Sequence, residues 1–495
     1  MKKFVLIICL LFATELCFGQ SMDINLDAIV LKKHSELNKG DTIAISRIFM
    51  SADGEIECEI KGDKRISYVS STRLKNDLQF VINNISDFWK VHIATDVMSI
   101  IDGNGDQSEL RHEMELDALR FIQVIKENGL VLDDPMLENY IYGLVNKILP
   151  LDLLHYSPYN INIIIQQNPE LNAFCYPNGT IVVNTGLLAN LHSEDELVAI
   201  LSHEISHFVL DHSVQNVIAA IERQKRAEFW AAFATGLAAV AEGVIMAKNE
   251  YYIPGAITTS VAAASAAIAS DAVDRLGMKY NHNQEYEADG LAKEILQILG
   301  YNDSALATAL KRIANDLKTE GYGYALLLDS KSHPSLKSRI DKQGTPDSSI
   351  EKDYEQMVSF AVTNTAKFKF ENRRFKQCMA LVAQNIVNGV GTVDDYMLYA
   401  RCLLAFENTS ESNAQILELI EKAKAIDSST HNINIDKTEI LVYLRLKQYD
   451  KAQTLLSAYQ ERIAAMSEEL KHIIFFEQEY NWATNMITKI KAMSI

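Results

Sequence analysis

Three histidines crowd the stretch Leu201–His212, LSHEISHFVLDH, with Glu204 directly after the first of them. Ser193 followed by Glu196 is a capping-box pattern, so a helix is expected to start just upstream. Leu197, Ile200, Leu201 and Phe208 then recur as its apolar stripe. On such a helix His203 and His207 lie one turn apart on one face. Two imidazoles at that spacing can bind one Zn2+ at roughly 2.0–2.1 Å each. Glu204 is adjacent in sequence, which lets its carboxylate reach a water at the metal rather than the metal itself. This HExxH arrangement supplies two ligands and a general base for metal-assisted hydrolysis. The motif is short, and solvent-facing histidines match it equally well until a third ligand is found.

One route to that ligand needs glycine at 210 and histidine at 213, but the chain has Leu210 and Ser213. The other route takes a carboxylate from a later helix, and NQEYEADGLAKEIL offers one. Glu285 and Asp289 stand one turn apart on a segment whose helical periodicity runs through Leu291 and Ile295. Glu285 would complete a His₂Glu set for one zinc per chain, with the fourth position left to water. Asp289 would sit behind the metal, accepting an N–H from a ligand histidine and fixing its orientation. Glu287 faces elsewhere on that helix and receives no role. His212 falls off the metal face and reads as structural.

The elements that must position these residues belong to a chain of 495 residues, long enough for several domains. Its formal net charge is −18, spread without acidic blocks, which argues against nucleic acid as a partner. The first residues, MKKFVLIICLLFATELCFGQ, combine Lys2 and Lys3 with an apolar run from Phe4 to Ala13 and a small residue at Gly19. That is the layout of a secretory signal peptide over 1–19, which predicts a periplasmic or secreted protein. A lipid anchor on Cys17, making the chain membrane-associated, is the alternative, though Thr14, Glu15 and Leu16 make a poor lipidation signal. Of the cysteines left after cleavage, Cys378 and Cys402 could bridge two neighbouring helices. Four buried thiols is the competing reading.

A small β-rich module is expected over 20–100. Its strands at 40–81 are short and β-branched, broken by turn clusters, and fit an SH3-like barrel. Residues 102–113, DGNGDQSELRHE, place Asp102, Asn104, Asp106 and Glu113 as an EF-hand would, but Gln107 stands where the sharp turn requires glycine. A polar turn before a helix is the better reading. Two helical patterns follow, and then two β runs flanking Asn178-Gly179, a strong hairpin signal. Residues 227–275 are rich in alanine and read as close-packed helices, with peripheral membrane contact through an interfacial hairpin as the alternative. Over 354–495, CMAL at 378, AQIL at 414 and AQTL at 452 stand 36 and 38 residues apart. This resembles tetratricopeptide helix pairs, whose arrays offer a concave protein-binding surface.

With HExxH followed by E-Y-x-A-D, the segment 108–342 resembles the zinc peptidases that include the CAAX prenyl proteases and the HtpX and BepA proteases. NAFCYPNGTIVVNTGLL is similar to that family's strand and hairpin before the zinc helix, and SHPSLKSRI (332–340) to its downstream His-Pro…Arg-Ile signature. The resemblance implies an α+β, mainly helical fold with a zincin-type core over 101–345. It implies a zinc endopeptidase in which Glu204 is the base and His203, His207 and Glu285 hold the metal. The strand Thr180, Ile181, Val182, Val183 and Asn184 would bind substrate as an added β-strand, and His333 would approach the active site. The signal peptide and repeat tail point to the periplasmic, BepA-like branch. Extended or misfolded envelope polypeptides would be the substrates, with the repeats recruiting clients or assembly machinery. The alternative is a chaperone or scaffold with a latent protease core. Two departures touch substrate recognition: His282 replaces an arginine often found ahead of the third ligand, and the N-terminal β module is not part of the usual layout.

Overall fold

Met22, Ile24, Leu26, Ala28 and Val30 alternate with exposed residues, and their buried side chains give β1 (Ser21–Val30) one core face. In the computed structural model, the described residues are 21–34, 36–51, 55–60, 64–97, 105–150, 161–223, 276, 278–319, 334–347, 349–427, 432–465 and 474–493. The expected signal peptide, the alanine-rich segment 227–275 and His333 lie outside them. The described residues fall into two compact units, one up to Ile350 and one from Glu351.

The first unit opens with an antiparallel sheet. It contains β1, β2 (Thr42–Met50), β3 (Ile56–Ile60), β4 (Lys64–Tyr68) and β5 (Leu78–Phe80), in the order β4-β3-β2-β1-β5. Sequence patterning alone placed strands only from 40 onward and missed β1. Three of its outward positions are Asp23, Asn25 and Asp27, residue types that strands usually avoid. The register shifts between Asp23 and Leu26, where Asn25 takes a left-handed conformation (φ 50°), so a bulge bends this strand. Helix α1 (Ser71–Asp77) joins β4 to β5, and α2 (Ile85–His92) follows, capped by the Asn84 side chain. From α2 the buried Trp89 donates its indole N–H to the Ile148 carbonyl at 2.6 Å, which ties the module to the following helices.

Helix α3 (Gly105–Glu127) already contains Asp106, so that residue belongs to a helix and not to a calcium loop. Helix α4 (Pro135–Ile148) starts with Asp134 as cap and Pro135 in its first turn. A three-stranded sheet comes next, β6 (Asn162–Gln166), β7 (Ala173–Cys175) and β8 (Thr180–Asn184), in the order β6-β8-β7. The hairpin expected at Asn178-Gly179 is present, with Gly179 left-handed (φ 80°) and its N–H donated to Tyr176 O at 2.9 Å. Helices α5 (Thr185–Asn190), α6 (Glu194–Val209), α7 (His212–Arg223), α8 (His282–Leu299), α9 (Ala305–Thr319) and α10 (Leu336–Gln343) complete the unit.

The second unit is helical: α11 (Lys352–Met357), α12 (Ser359–Glu371), α13 (Phe375–Val387), α14 (Val393–Phe406), α15 (Ser410–Ile426), α16 (Ile433–Arg445), α17 (Tyr449–Ala464) and α18 (Ile474–Met493). Consecutive helices from α12 to α17 pack on one another. Ala366, Ala400, Ala423 and Ala452 are fully buried and let the helices approach closely. Cys378 on α13 and Cys402 on α14 are free buried thiols in one apolar cluster, as are Cys58 and Cys175 elsewhere.

The strand-to-helix turn ahead of α6 has no slack. Gly186 N donates to Asn168 O at 2.8 Å, and a Cβ at Gly186 would overlap the main-chain carbonyls of Pro169 and Glu170. Gly186→Ala is therefore expected to destabilise the fold by about 3 kcal/mol. A denaturant midpoint unchanged from wild type would show that this packing is looser than the contact implies.

Candidate metal centre

Leu197, Val198, Leu201 and Ile205 bury one side of α6, and this packing fixes where the histidines point. The Ser193 hydroxyl caps the helix by accepting from Glu196 N at 3.3 Å. Glu196 reaches one residue further back than a capping box requires, accepting from His192 N, and it also takes both of its oxygens to Arg312 Nε at 2.7 and 3.0 Å. Phe208, expected in the buried stripe, is only half-buried.

Helix α8 meets α6 from the side. It begins with a full capping box between Asn281 and Gln284, which places Glu285 on its first turn and Asp289 one turn later, both buried. His203 Nε2 lies 3.1 Å from His207 Nε2 and 3.6 Å from Glu285 Oε2. The three ligand atoms all lie within 4.8 Å of one another. A tetrahedral ion with bonds of roughly 2.0–2.1 Å holds its ligand atoms about 3.3 Å apart. The donor set, two imidazoles and a carboxylate, therefore fits zinc in both chemistry and span.

What holds each ligand differs. His203 Nδ1 is 2.9 Å from Asp289 Oδ1, the orienting contact expected for that aspartate. Burial alone would push the Asp289 carboxyl up, but His203 and Arg339 outweigh it and hold it down at about 2. His207 stacks on Tyr280, with ring centroids 3.6 Å apart and planes at 9°. Its Nδ1 lies 2.8 Å from His212 Nδ1. His212 stands outside the ligand cluster and supports one of its rings, a contact that the sequence reading did not include. It sits at the first residue of a new helix, after Asp211 turns the chain in a left-handed conformation (φ 58°). Extending α6 through residue 212 therefore misplaced it. Glu287, given no role, lies with Oε2 3.4 Å from His212 Nε2.

Arg339 on α10 was not singled out, although it lies inside the SHPSLKSRI signature. Its Nε and one terminal nitrogen fork onto the two Asp289 oxygens at 2.9 and 2.6 Å, and its other terminal nitrogen is 3.0 Å from Glu285 Oε2. Glu204 is half-buried beside this cluster. Burial pushes its carboxyl up to about 7, with Glu285 and Asp289 adding to the shift and His203 and Arg339 opposing it.

The strand Thr180–Asn184 does not hold the place expected of it. It is the central strand, hydrogen-bonded to β6 on one side and β7 on the other, so it has no free edge for a substrate. The outer strand next to it is β7. Because Tyr176 N donates to Thr180 O, the backbone groups of Ala173 and Cys175 face away from β8. The resemblance had put the substrate edge on Thr180–Asn184, and the parallel pairing with β6 makes that strand central instead.

Removing the Arg339 fork leaves buried carboxylates without their counter-charge. Arg339→Ala is expected to cost about 3–5 kcal/mol in metal-free protein, with Arg339→Lys recovering only part of it. Equal unfolding midpoints for Arg339→Lys and wild type would show that charge alone, without the fork, suffices.

Residues 137–344 match the model of peptidase family M48. A putative beta-barrel assembly-enhancing protease of Vibrio cholerae is 24% identical over 338 residues, covering 68% of this chain and 58% of the relative. The beta-barrel assembly-enhancing protease of Escherichia coli K12 is 24% identical over 48% of this chain and 44% of its own length. The mitochondrial metalloendopeptidase OMA1 of Arabidopsis thaliana is 24% identical over 37% of this chain and 31% of its own. The chain thus spans about half the length of the beta-barrel assembly-enhancing proteases it matches. The match to peptidase family M48 runs through residues 137–344, which include the whole His203–His207–Glu285 cluster.

Proposed function

We propose that the chain is a zinc-dependent endopeptidase acting on extended or misfolded cell-envelope polypeptides. The observation that carries this reading is the His203–His207–Glu285 cluster with Glu204 on the same helix turn. Zinc, when bound, would act as a Lewis acid on the scissile carbonyl and acidify a water. Glu204 takes the proton from the attacking water and returns it to the leaving nitrogen. Asp289 and Arg339 hold His203 in orientation throughout. An extended substrate pairs with the outer edge of β7, main chain to main chain, which favours loose sequence preference.

The helices of residues 354–495 are read as tetratricopeptide-like pairs that recruit clients or envelope assembly partners. The names of the relatives from Vibrio cholerae and Escherichia coli support a role near β-barrel assembly. The signal-peptide pattern supports a periplasmic location. Among the described residues no helix is long and apolar enough to cross a membrane.

Glu204→Gln is expected to retain zinc and lose casein cleavage by about 10²–10⁴-fold, and a chelator should abolish wild-type cleavage. Wild type that holds no zinc and cuts no casein would leave the scaffold reading in its place. Ala173→Pro removes one outward N–H from β7 without touching the β8 ladder. It is expected to raise KM for extended substrates by about tenfold with zinc content unchanged, one lost hydrogen bond's worth. An unaltered KM would move substrate binding off this edge.

A further inference from the structure

His207 and His212 face each other through the same ring atom. Their Nδ1 atoms are 2.8 Å apart, a hydrogen-bond distance that neutral rings satisfy with one proton between them. Both side chains are buried, so bulk water does not set which ring carries it. The far ends of the two rings decide. His207 Nε2 belongs to the cluster with His203 and Glu285, and a ligand nitrogen must present its lone pair there. The proton of neutral His207 is then on Nδ1, which makes His207 the donor and His212 Nδ1 the acceptor. A neutral imidazole that accepts at Nδ1 carries its own proton on Nε2. His212 Nε2 is the atom that faces Glu287 Oε2, at 3.4 Å. All three groups agree on a single direction of donation, from His207 to His212 to Glu287.

We propose that His212, with Glu287 behind it, is a positioning residue that fixes the tautomer of His207 and keeps its Nε2 as the metal-facing atom. This deepens the metallopeptidase reading and rests on it. The pair of ligands is then held by two different devices. His203 is oriented by the carboxylate of Asp289, and His207 by the acceptor nitrogen of another histidine. The stack on Tyr280 fixes the plane of the His207 ring but leaves both tautomers equally stacked, so it cannot do what His212 does. His212 itself is held from α8, where Gln284 donates to its main-chain carbonyl at 3.4 Å. Helix α8 thereby supplies the third ligand Glu285 and, through Gln284 and Glu287, the support for the second.

The test is zinc affinity of the full chain by chelator competition, with the thermal midpoint of metal-free protein measured alongside. His212→Leu fills the space but cannot accept, and is expected to bind zinc about 10–100-fold more weakly. His212→Asn keeps an acceptor oxygen near the position of Nδ1 and is expected to stay within about threefold of wild type. A purely structural role would move the metal-free midpoints of the folded variants and leave their zinc affinities alike. Wild-type affinity in His212→Leu, or an Asn variant as weak as Leu, overturns the proposal. Should the buried replacements not fold, Glu287→Ala at the half-exposed end is expected to weaken zinc by several-fold. Unchanged affinity there overturns the proposal equally. Wild type that binds no zinc would instead remove the parent reading, and this proposal with it.

Discussion

Asp289 is fully buried, and a carboxylate in that position costs several kcal/mol unless its charge is answered on the spot. The answer comes from Arg339, whose planar fork meets both Asp289 oxygens while its remaining nitrogen reaches Glu285. Much of the surrounding architecture follows from that one arrangement. Helix α10 must lie close to α8, and its start is set by the Ser335 cap after Pro334. Helix α6 must present His203 to the other side of the same carboxylate. The two metal-bearing helices and the helix carrying Arg339 are therefore joined through one anion, and none can shift alone without exposing it to an unpaired state.

The same logic governs the approach to α6 from the sheet. Its N-terminus carries Glu194, Asp195 and Glu196 in the first turn, favourably placed against the helix dipole. Each is also tied down. Glu194 accepts from the hydroxyls of Tyr140 and Tyr301, Asp195 accepts from Asn302 N, and Glu196 accepts from Arg312 Nε with both oxygens. These contacts reach α4 and α9, so the start of the ligand helix is anchored to elements far away in the chain. At its other end Asp211 pairs with Arg111 of α3. Two histidines one turn apart need their backbone held at both ends if their ring nitrogens are to stay about 3 Å apart, and these hydrogen bonds and ion pairs do that.

How much of this was legible beforehand depended on the range of the interaction. His203 could be paired with His207, and Glu285 with Asp289, because helical spacing fixes which side chains share a face, and the E-Y-x-A-D motif that follows HExxH joined the two pairs. Residues joined only by tertiary packing were harder. Arg339 lay in a recognised signature without a role, since nothing local marks a guanidinium as the counter-charge of a carboxylate on another helix. The contact of His212 with His207 went unforeseen because Asp211 breaks the helical phase, and a left-handed non-glycine residue leaves little trace in sequence. The strand Thr180–Asn184 was given an edge by the resemblance, and nothing in the local hairpin pattern announced the parallel pairing with β6 that removes it. Strand β1 escaped notice because its alternation is carried by acidic and amide residues that local propensity discounts.

Charge balance also bears on which ion the cluster suits. Glu204, Glu285 and Asp289 bring three carboxylates together, and Arg339 returns a single positive charge to them. The imidazoles cannot make up the difference while they serve as neutral ligands. A dication restores balance in a buried space where an uncompensated charge is costly. The donor set then narrows the choice. Two nitrogens and one oxygen suit zinc and other late transition metals, while calcium and magnesium call for oxygen ligands throughout. The rise of the Glu204 carboxyl toward neutrality is the same imbalance seen from the side of the base: burial, with negative neighbours, favours the protonated form. A bound dication would relieve that pressure and leave Glu204 ionised, so the charge that completes the site also prepares its base.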